Sequence, residues 1–314
     1  MEKGAEMGRP GRHRLREENI KALNEAVVNH SGVVLIVEAS ELDPVTSRPR
    51  LPDYIKQSWD RRHFIWADAR SKALKSTKNY RLWRFWLVVN PLLDVALYGF
   101  LFGFLLKTSR GVDNFVGFLV LGIIFMRMLT GLVGQGSGLI KASKGMITAF
   151  QFPRASLVLS QSIRACIDNL VPALVAIVLA LLAQYHMPPS WTLMLVIPLY
   201  FLLHLFGAGL MFLAARATAV IPDLQALIRV GTQAWFFLSG VMYSVERFAS
   251  DPIIYTAMSL NPAYQLLTAI RDATIYATVP TLSTWLVLCA WSFGTFAVGF
   301  IYFWRAEERY VRFA

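Results

Sequence analysis

The sequence predicts an all-α integral membrane protein with six transmembrane helices and both termini in the cytoplasm. Of its 314 residues, 55% are hydrophobic and only 16% are charged, whereas a soluble domain carries about 25% charged residues. The charges are also uneven, since residues 1–84 hold 17 basic and 11 acidic side chains. A polar head followed by a membrane-embedded body accounts for both observations and disfavours a soluble enzyme.

The head covers residues 1–53 and is polar and rich in turn-forming residues, so we expect it to be largely disordered. The early basic residues are not followed by an apolar run of signal-peptide length. We therefore expect the head to stay on the side of the membrane where it is synthesised.

Residues 54–81 predict an amphipathic helix. On a helical wheel Ile55, Trp59, Trp66, Ala69 and Ala73 fall on one narrow stripe, with charged residues elsewhere. A tryptophan-bearing stripe with basic flanks is typical of a helix that lies in the membrane interface. The alternative is an ordinary amphipathic helix on a small cytoplasmic domain.

Residues 82–314 contain six apolar segments of membrane-spanning length. A bilayer core about 30 Å thick needs roughly 20 apolar residues per helix. The segments are Phe85–Leu106, Phe115–Gly134, Ala165–Ala183, Trp191–Ala215, Arg229–Val245 and Leu282–Trp304. The fifth is the weakest, because it is short and contains Thr232, Gln233 and Ser239. Lysine and arginine concentrate in the flanks that would be cytoplasmic if the head is, which predicts both termini inside.

The inner loop at about 139–152 predicts a short amphipathic coupling helix before the third span. It carries Lys141 and Lys144 together with the apolar residues Met146, Ile147 and Phe150. Exposed apolar side chains on a short basic helix suit docking onto a cytoplasmic partner. Contact with lipid headgroups is the alternative.

Residues 246–281 predict a re-entrant helical hairpin at the outer face, between spans five and six. Asp251-Pro252 and Asn261-Pro262 each place a capping residue before a proline, which is a helix-start signature. The first helix is too short to cross the membrane, and we expect Arg271-Asp272 to interrupt the second. A simple extracellular loop is the alternative.

Four ionisable residues lie within the predicted spans: Asp94, Arg127, Arg164 and Asp168. Placing a charged side chain near the centre of a transmembrane helix costs roughly 2.5–3.5 kcal/mol. We therefore expect each of these residues to have a structural or functional role. Either they line a watery pathway, or Arg164 pairs with Asp168 one turn away and Arg127 pairs with Asp94 or Asp168.

Small residues in two spans permit close helix contact. Gly99 and Gly103 are four residues apart in span one. Gly207 and Gly209 leave part of the surface of span four without side chains. They serve either packing within the chain or a dimer interface.

The residues give no sign of a catalytic centre or a metal site. The G-x-x-x-x-G-K-[ST] pattern that holds nucleotide phosphates is absent from the sequence, and the five histidines are scattered. We therefore expect a chain that catalyses nothing and binds no cofactor or metal.

Four segments in a fixed order resemble the permease subunit of ABC-2 type polysaccharide exporters, the Wzm-like group that exports O-antigen, galactan or teichoic acid. They are Trp86–Leu93, Ile221–Leu224, Ser239–Tyr243 and Asn261–Asp272. Pro222 stands where the family has arginine, and Gly240 stands where it has proline. The resemblance covers residues 54–314.

The resemblance implies a homodimer in the inner (cytoplasmic) membrane, bound to two copies of a separate ABC ATPase that holds ATP and Mg²⁺. It implies a lipid-linked polysaccharide as substrate. It also implies that the coupling helix, together with Trp59 and Trp66 of the interface helix, transmits closure of the ATPase.

In this family, aromatic residues line the path of the sugar chain. The candidates here are Tyr98, Phe102, Phe236, Phe237 and Tyr243, although each alternatively serves as lipid-facing bulk. An ABC-2 permease for a small lipophilic compound remains an alternative function. A membrane-embedded glycan or lipid transferase is disfavoured, because the predicted outer segments contain few acidic residues or histidines.

Overall fold

The computed structural model describes residues 49–75, 89, 92–93, 95–105, 114–184, 188–245 and 250–310, with backbone only at 74, 75, 102 and 103. All regular elements in these ranges are helical, as the sequence predicts. Residues 1–48 of the predicted head, residues 76–81 of the predicted interface helix, and eight of the 22 residues of the first predicted span lie outside the described residues. Residues 51–53, which we expected in the disordered head, instead form the start of the first helix.

Eleven α-helices are described, and we number them in chain order. They are α1 Leu51–Asp60, α2 Arg62–Lys75, α3 Phe115–Gly136, α4 Leu139–Ala142, α5 Lys144–Ala149, α6 Ala155–Leu182, α7 Val196–Val220, α8 Leu224–Leu238, α9 Pro252–Ser259, α10 Pro262–Thr274 and α11 Leu282–Trp304. A π-helix covers Gly99–Leu105, and 3₁₀ turns cover Trp191–Leu195 and Glu307–Arg309.

Four helices in the described ranges are long and apolar enough to cross a membrane. They are α3, α6, α7 with the 3₁₀ turn before it, and α11. They correspond to the second, third, fourth and sixth predicted spans. The chain is thus a multi-pass membrane protein, while the count of six spans stays a prediction.

Helix α7 is the centre of the bundle and packs against α11, α3 and α6. Its closest approach to α11 is at Gly209, where an added Cβ would lie 2.5 Å from the backbone of Thr295. Gly207 faces α3, where an added Cβ would meet the side chain of Leu132. These two glycines therefore serve packing within the chain, one of the two roles that the sequence allows.

Helix α6 begins at Ala155, ten residues before the predicted start of the third span. Its 28 residues make it about 42 Å long, which exceeds the hydrocarbon core. The additional turns pack against α2, where Ala69 and Ala73 are buried. Ser160 Oγ donates to Asp68 Oδ2 at 2.5 Å. Packing against α2 therefore stabilises turns of α6 that lie before the predicted apolar span.

The predicted interface helix is divided into α1 and α2 at Arg61. This break also divides the predicted stripe. Trp59 and Trp66 are exposed, whereas Ala69 and Ala73 are buried. In α1 the buried face instead contains Tyr54 and Ser58.

The helix at the fifth predicted span, α8, begins at Leu224 and ends at Leu238. Fifteen residues are about 22 Å long, which is shorter than a bilayer core. The chain turns after Ser239, because Gly240 adopts a left-handed conformation with φ of 60° that other residues rarely tolerate.

Helices α9 and α10 form the predicted helical pair. Asp251 caps α9 and Asn261 caps α10, each with a proline in the first turn. The expected interruption at Arg271-Asp272 was wrong, since α10 continues to Thr274. A buried arginine is compatible with the helix here because backbone carbonyls of neighbouring segments accept its hydrogen bonds. Re-entry into the membrane stays a prediction.

Candidate functional site

A cavity of about 380 Å³ lies between the segment before the π-helix, α3 and α8. Its lining consists of Tyr98, Arg127, Thr130, Gly131, Thr232, Gln233 and Phe236. Three of the sequence-predicted site residues, Tyr98, Arg127 and Phe236, are therefore brought together. A polar cavity of this size between apolar helices is the strongest candidate site among the described residues.

Tyr98 and Phe236 form the aromatic wall of the cavity, with ring centroids 6.2 Å apart. The predicted site residues Phe237 and Tyr243 do not line it. Phe237 meets Phe236 edge-on at 5.6 Å, and the hydroxyl of Tyr243 donates to the backbone carbonyl of Phe237 at 2.7 Å. The side chain of Phe102 lies outside the described residues.

Arg127 supplies positive charge to the cavity. It is the exposed residue in a stretch of α3 where the neighbours from Leu121 to Met126 are all buried. A guanidinium carries five hydrogen-bond donors and no acceptor. The predicted partner Asp94 lies outside the described residues, so the pairing of Arg127 with Asp94 stays a prediction.

The remaining polar lining residues were not predicted as site residues. The hydroxyl of Thr130 donates to the carbonyl of Met126 at 3.0 Å, and that of Thr232 donates to Ile228 at 2.8 Å. Each hydroxyl oxygen keeps acceptor capacity. For Thr232 and Gln233 the signal in the sequence is the polar content of the fifth predicted span, which by itself indicates only a weak membrane span.

Arg164 and Asp168 form an ion pair, with Nε and Oδ2 3.3 Å apart. This is the one-turn pairing that the sequence allows, and neither residue lines the cavity. The second alternative for Arg127, a pairing with Asp168, therefore competes with an ion pair that is already formed.

The loop between α3 and α6 exposes the residues predicted to contact a partner. Lys141, Lys144 and Phe150 are exposed, and 67% of the Phe150 side chain is accessible. Ile147 is instead buried and Met146 half-buried, because α5 packs its apolar face on the bundle. The free apolar surface of the loop is therefore at Phe150.

Asn261 attaches the α9–α10 pair to the end of α8. Its Oδ1 accepts from Trp235 Nε1 at 3.0 Å and also caps the backbone N–H of Ala263. Its Nδ2 donates to Ser239 Oγ at 2.9 Å. Pro262 occupies the first turn of α10, where the missing N–H costs nothing.

Arg271 attaches α10 to both α3 and the turn after α8. The side chain is 1% exposed. It donates to the carbonyls of Phe118, Gly240 and Val241 at 3.2, 3.1 and 3.0 Å. The guanidinium also lies 3.4 Å from the ring centroid of Phe118. Asp272 is half-buried, and its carbonyl accepts from the Thr278 N–H at 2.9 Å.

Within the described ranges, no three histidine, cysteine, aspartate or glutamate side chains are grouped so that they could hold a metal ion. The candidate site thus consists of rings, hydroxyls, an amide and a guanidinium. Groups of this kind can contact a ligand through stacking and hydrogen bonds.

Residues 65–275 match the model of the family described as "ABC-2 type transporter". The match includes the cavity, the loop between α3 and α6, and α10, and it covers more than half of the chain. The chain belongs to the ABC-2 type transporter family. The resemblance found in the sequence is thereby confirmed at the level of the family.

Two similar proteins are O-antigen export system permeases named RfbA. The Myxococcus xanthus protein is 25% identical over 185 residues, which cover 59% of this chain and 69% of that protein. The Klebsiella pneumoniae protein is 23% identical over 198 residues, which cover 62% of this chain and 73% of that protein. Both relatives are transport permeases by name.

Proposed function

We propose that this chain is the membrane-spanning permease subunit of an ATP-driven exporter that moves a lipid-linked polysaccharide across the cytoplasmic membrane. Two copies of the chain assemble with two copies of a separate ABC ATPase, which binds ATP and Mg²⁺. Both termini of the chain are cytoplasmic, and the α9–α10 pair is a re-entrant hairpin at the outer face. The chain itself catalyses no reaction.

The observation that carries this proposal is the composition of the cavity. Tyr98 and Phe236 offer flat ring faces, which pack against the C–H faces of sugars. Arg127, Gln233 and the threonines lie beside them and offer hydrogen bonds to hydroxyl groups. Stacking without deep enclosure allows a sugar chain to slide past. The names of the two relatives support the same class of substrate.

The polar lining also separates the proposal from its main alternative. A pathway for a small lipophilic compound would be lined mainly by apolar side chains, because the hydrophobic effect favours the contact of apolar surfaces. Arg127, Gln233 and two threonines line this cavity. This polar lining matches the hydroxyl groups of a glycan better than the surface of a lipophilic compound.

We assign the surface that binds the ATPase to exposed residues that lie before the start of α6 and on α1 and α2. Phe150, Lys141 and Lys144 provide an apolar side chain flanked by positive charge. Trp59 and Trp66 are exposed on α1 and α2. Exposed aromatic residues with basic neighbours are typical anchors of a protein interface.

The test replaces the chain in cells by variants of the cavity. With Tyr98→Leu or Arg127→Gln, we expect lipid-linked polymer to accumulate inside the cell while the chain still assembles with the ATPase. Phe100→Leu is the matched control, because Phe100 is exposed in the same segment and does not line this cavity. Normal export by both cavity variants would contradict the proposed pathway. Accumulation of a lipophilic compound instead would support the alternative permease.

A further inference from the structure

Three distant parts of the chain meet at a buried polar cluster where α6 begins. We call Tyr54, Arg154, Ala155 and Glu307 the Glu307 cluster. Glu307 lies in the 3₁₀ turn after α11 and is 2% exposed. Its carboxylate accepts from Tyr54 Oη at 2.6 Å, from the Arg154 backbone N–H at 2.9 Å and from the Arg154 guanidinium at 3.2 Å.

The cluster caps α6 from outside that helix. The first residues of a helix have N–H groups without partners in the helix, and Arg154 at the N-cap makes no side-chain cap bond. Glu307 accepts the N–H of Arg154, and Tyr54 Oη accepts the N–H of Ala155 at 2.9 Å. The negative carboxylate also suits the positive end of the helix dipole. The start of α6 is thus held by residues of α1 and of the segment after α11.

Aromatic packing surrounds the cluster. Tyr54, fully buried, lies 5.9 Å from Phe300 of α11 between ring centroids. Trp304 Nε1 donates to the carbonyl of Pro49 at 3.1 Å. The ring centroids of Phe152, which precedes α6, and Phe64 of α2 are 6.2 Å apart. The end of α11, both N-terminal helices and the residues before α6 are therefore joined around one centre.

Burying the charged and polar groups of the cluster costs free energy unless all of their hydrogen bonds are made. Burial raises the pKa of the Glu307 carboxyl above its usual range, although hydrogen bonds from Arg154 and Tyr54 oppose the shift. Burial and the charge of Glu307 also raise the pKa of the Tyr54 hydroxyl. A buried carboxylate that loses one donor is left partly unpaired. The cluster therefore favours one relative arrangement of its three segments.

The cluster is close in sequence to the surface that we assign to the ATPase. Phe150, exposed at the end of α5, precedes Arg154 by four residues. We propose that the Glu307 cluster transmits displacement of this loop to α1 and to the end of α11, so that Tyr54 and Glu307 are positioning residues for the coupling of ATP hydrolysis to transport. This inference rests on the proposed function, and it makes the segment after α11 part of the coupling path.

The test uses the full chain with its partner ATPase in proteoliposomes that contain the lipid-linked glycan. Tyr54→Phe and Glu307→Gln should leave assembly and ATP hydrolysis near normal. The glycan moved per ATP should fall by at least about tenfold, the size expected when a hydrogen bond to a charged group is lost. Tyr255→Phe and Glu308→Gln are matched controls at exposed positions and should leave this ratio unchanged.

The double variant provides a further check. If Tyr54 and Glu307 act through one bond, Tyr54→Phe with Glu307→Gln should lower the ratio no more than the stronger single variant does. An unchanged ratio in both single variants would overturn the inference. A loss of assembly, hydrolysis and transport in equal proportion would also overturn it, because that is the signature of a purely structural role.

A distance measurement separates failure of this inference from failure of the proposed function. In chain with Cys166 and Cys289 replaced by serine, spin labels are placed at the exposed positions Thr148 and Glu308. Their distance distribution should be narrow, and Glu307→Gln should broaden it. Identical distributions would overturn the inference whatever the substrate is. If Glu307→Gln broadens the distribution but the wild-type complex moves no glycan, the proposed function is overturned instead.

Discussion

A single buried arginine holds three segments of the bundle together. Arg271 is satisfied by three carbonyls that belong to α3 and to the turn after α8. Carbonyl acceptors carry no signature in a sequence, and these are separated from Arg271 by 153, 31 and 30 residues. The sequence could therefore predict a residue of the helical pair but not its contacts. The Arg164–Asp168 pair could be predicted, because its partners are one helical turn apart.

Replacing Arg271 by methionine should destabilise the bundle by about 3 kcal/mol, because buried carbonyls lose their donors. Thermal unfolding of the purified chain in detergent measures the effect. Arg229→Met is the control, since Arg229 is exposed on α8, and it should change stability little. Equal melting temperatures for the two variants would show that Arg271 does not hold these segments together.

Gly122 provides the space that Arg271 occupies. A Cβ at this position would lie 2.7 Å from the carbonyl oxygen of Val241 and closer still to the guanidinium. Alanine in a helix is ordinarily favoured over glycine by roughly 0.5–1 kcal/mol. We expect Gly122→Ala to reverse that sign and lower the melting temperature. Gly134→Ala, which meets nothing within 4 Å, should keep or raise it, and the same response from both glycines would refute the close contact.

At the scale of elements, apolar length predicts most helix bounds. The sequence predicts the second and sixth spans to within two residues of α3 and α11, because both are continuous apolar runs between polar ends. It misplaces the start of α6, because the first turns of that helix are stabilised by packing on α2. It also misplaces the end of α8, where Gly240 and the bond from Asn261 to Ser239 decide the turn.

The loop between α3 and α6 yields a prediction about assembly. Phe150→Asp should abolish co-purification with the partner ATPase, because a charge replaces the exposed apolar side chain of this surface. Insertion into the membrane should be unchanged, since Phe150 supports no buried contact of α5. Thr148→Asp, an exposed position on the same helix, should weaken co-purification less. Full recovery of the ATPase with Phe150→Asp would place the docking surface elsewhere.

Three elements of the fold form the candidate cavity. The sequence predicts Tyr98, Phe236 and Arg127 individually, as aromatic and ionisable residues within spans. It does not predict that they share one cavity with Thr130 and Gln233, because this depends on the relative rotation of α3 and α8. Rotation is set by packing, which periodicity alone does not specify.

For the whole molecule, the proposed function requires that a pathway be connected to a surface on which a partner ATPase acts. The described cavity lies among apolar helices, and the exposed Phe150 lies in the loop that leads into α6. The Glu307 cluster ties the start of α6 to the segments before and after the bundle. An ATPase that moves the loop can therefore act on several helices at once.

In the proposed exporter this chain provides the passage and a separate ATPase provides the energy. Proteoliposomes containing the lipid-linked glycan test this division of roles, with the chain alone, the ATPase alone, or both. We predict that the glycan crosses the bilayer only when both proteins and ATP are present, and that the chain alone hydrolyses no ATP. Hydrolysis by the purified chain alone, or no movement of the glycan with both proteins and ATP, would contradict the account.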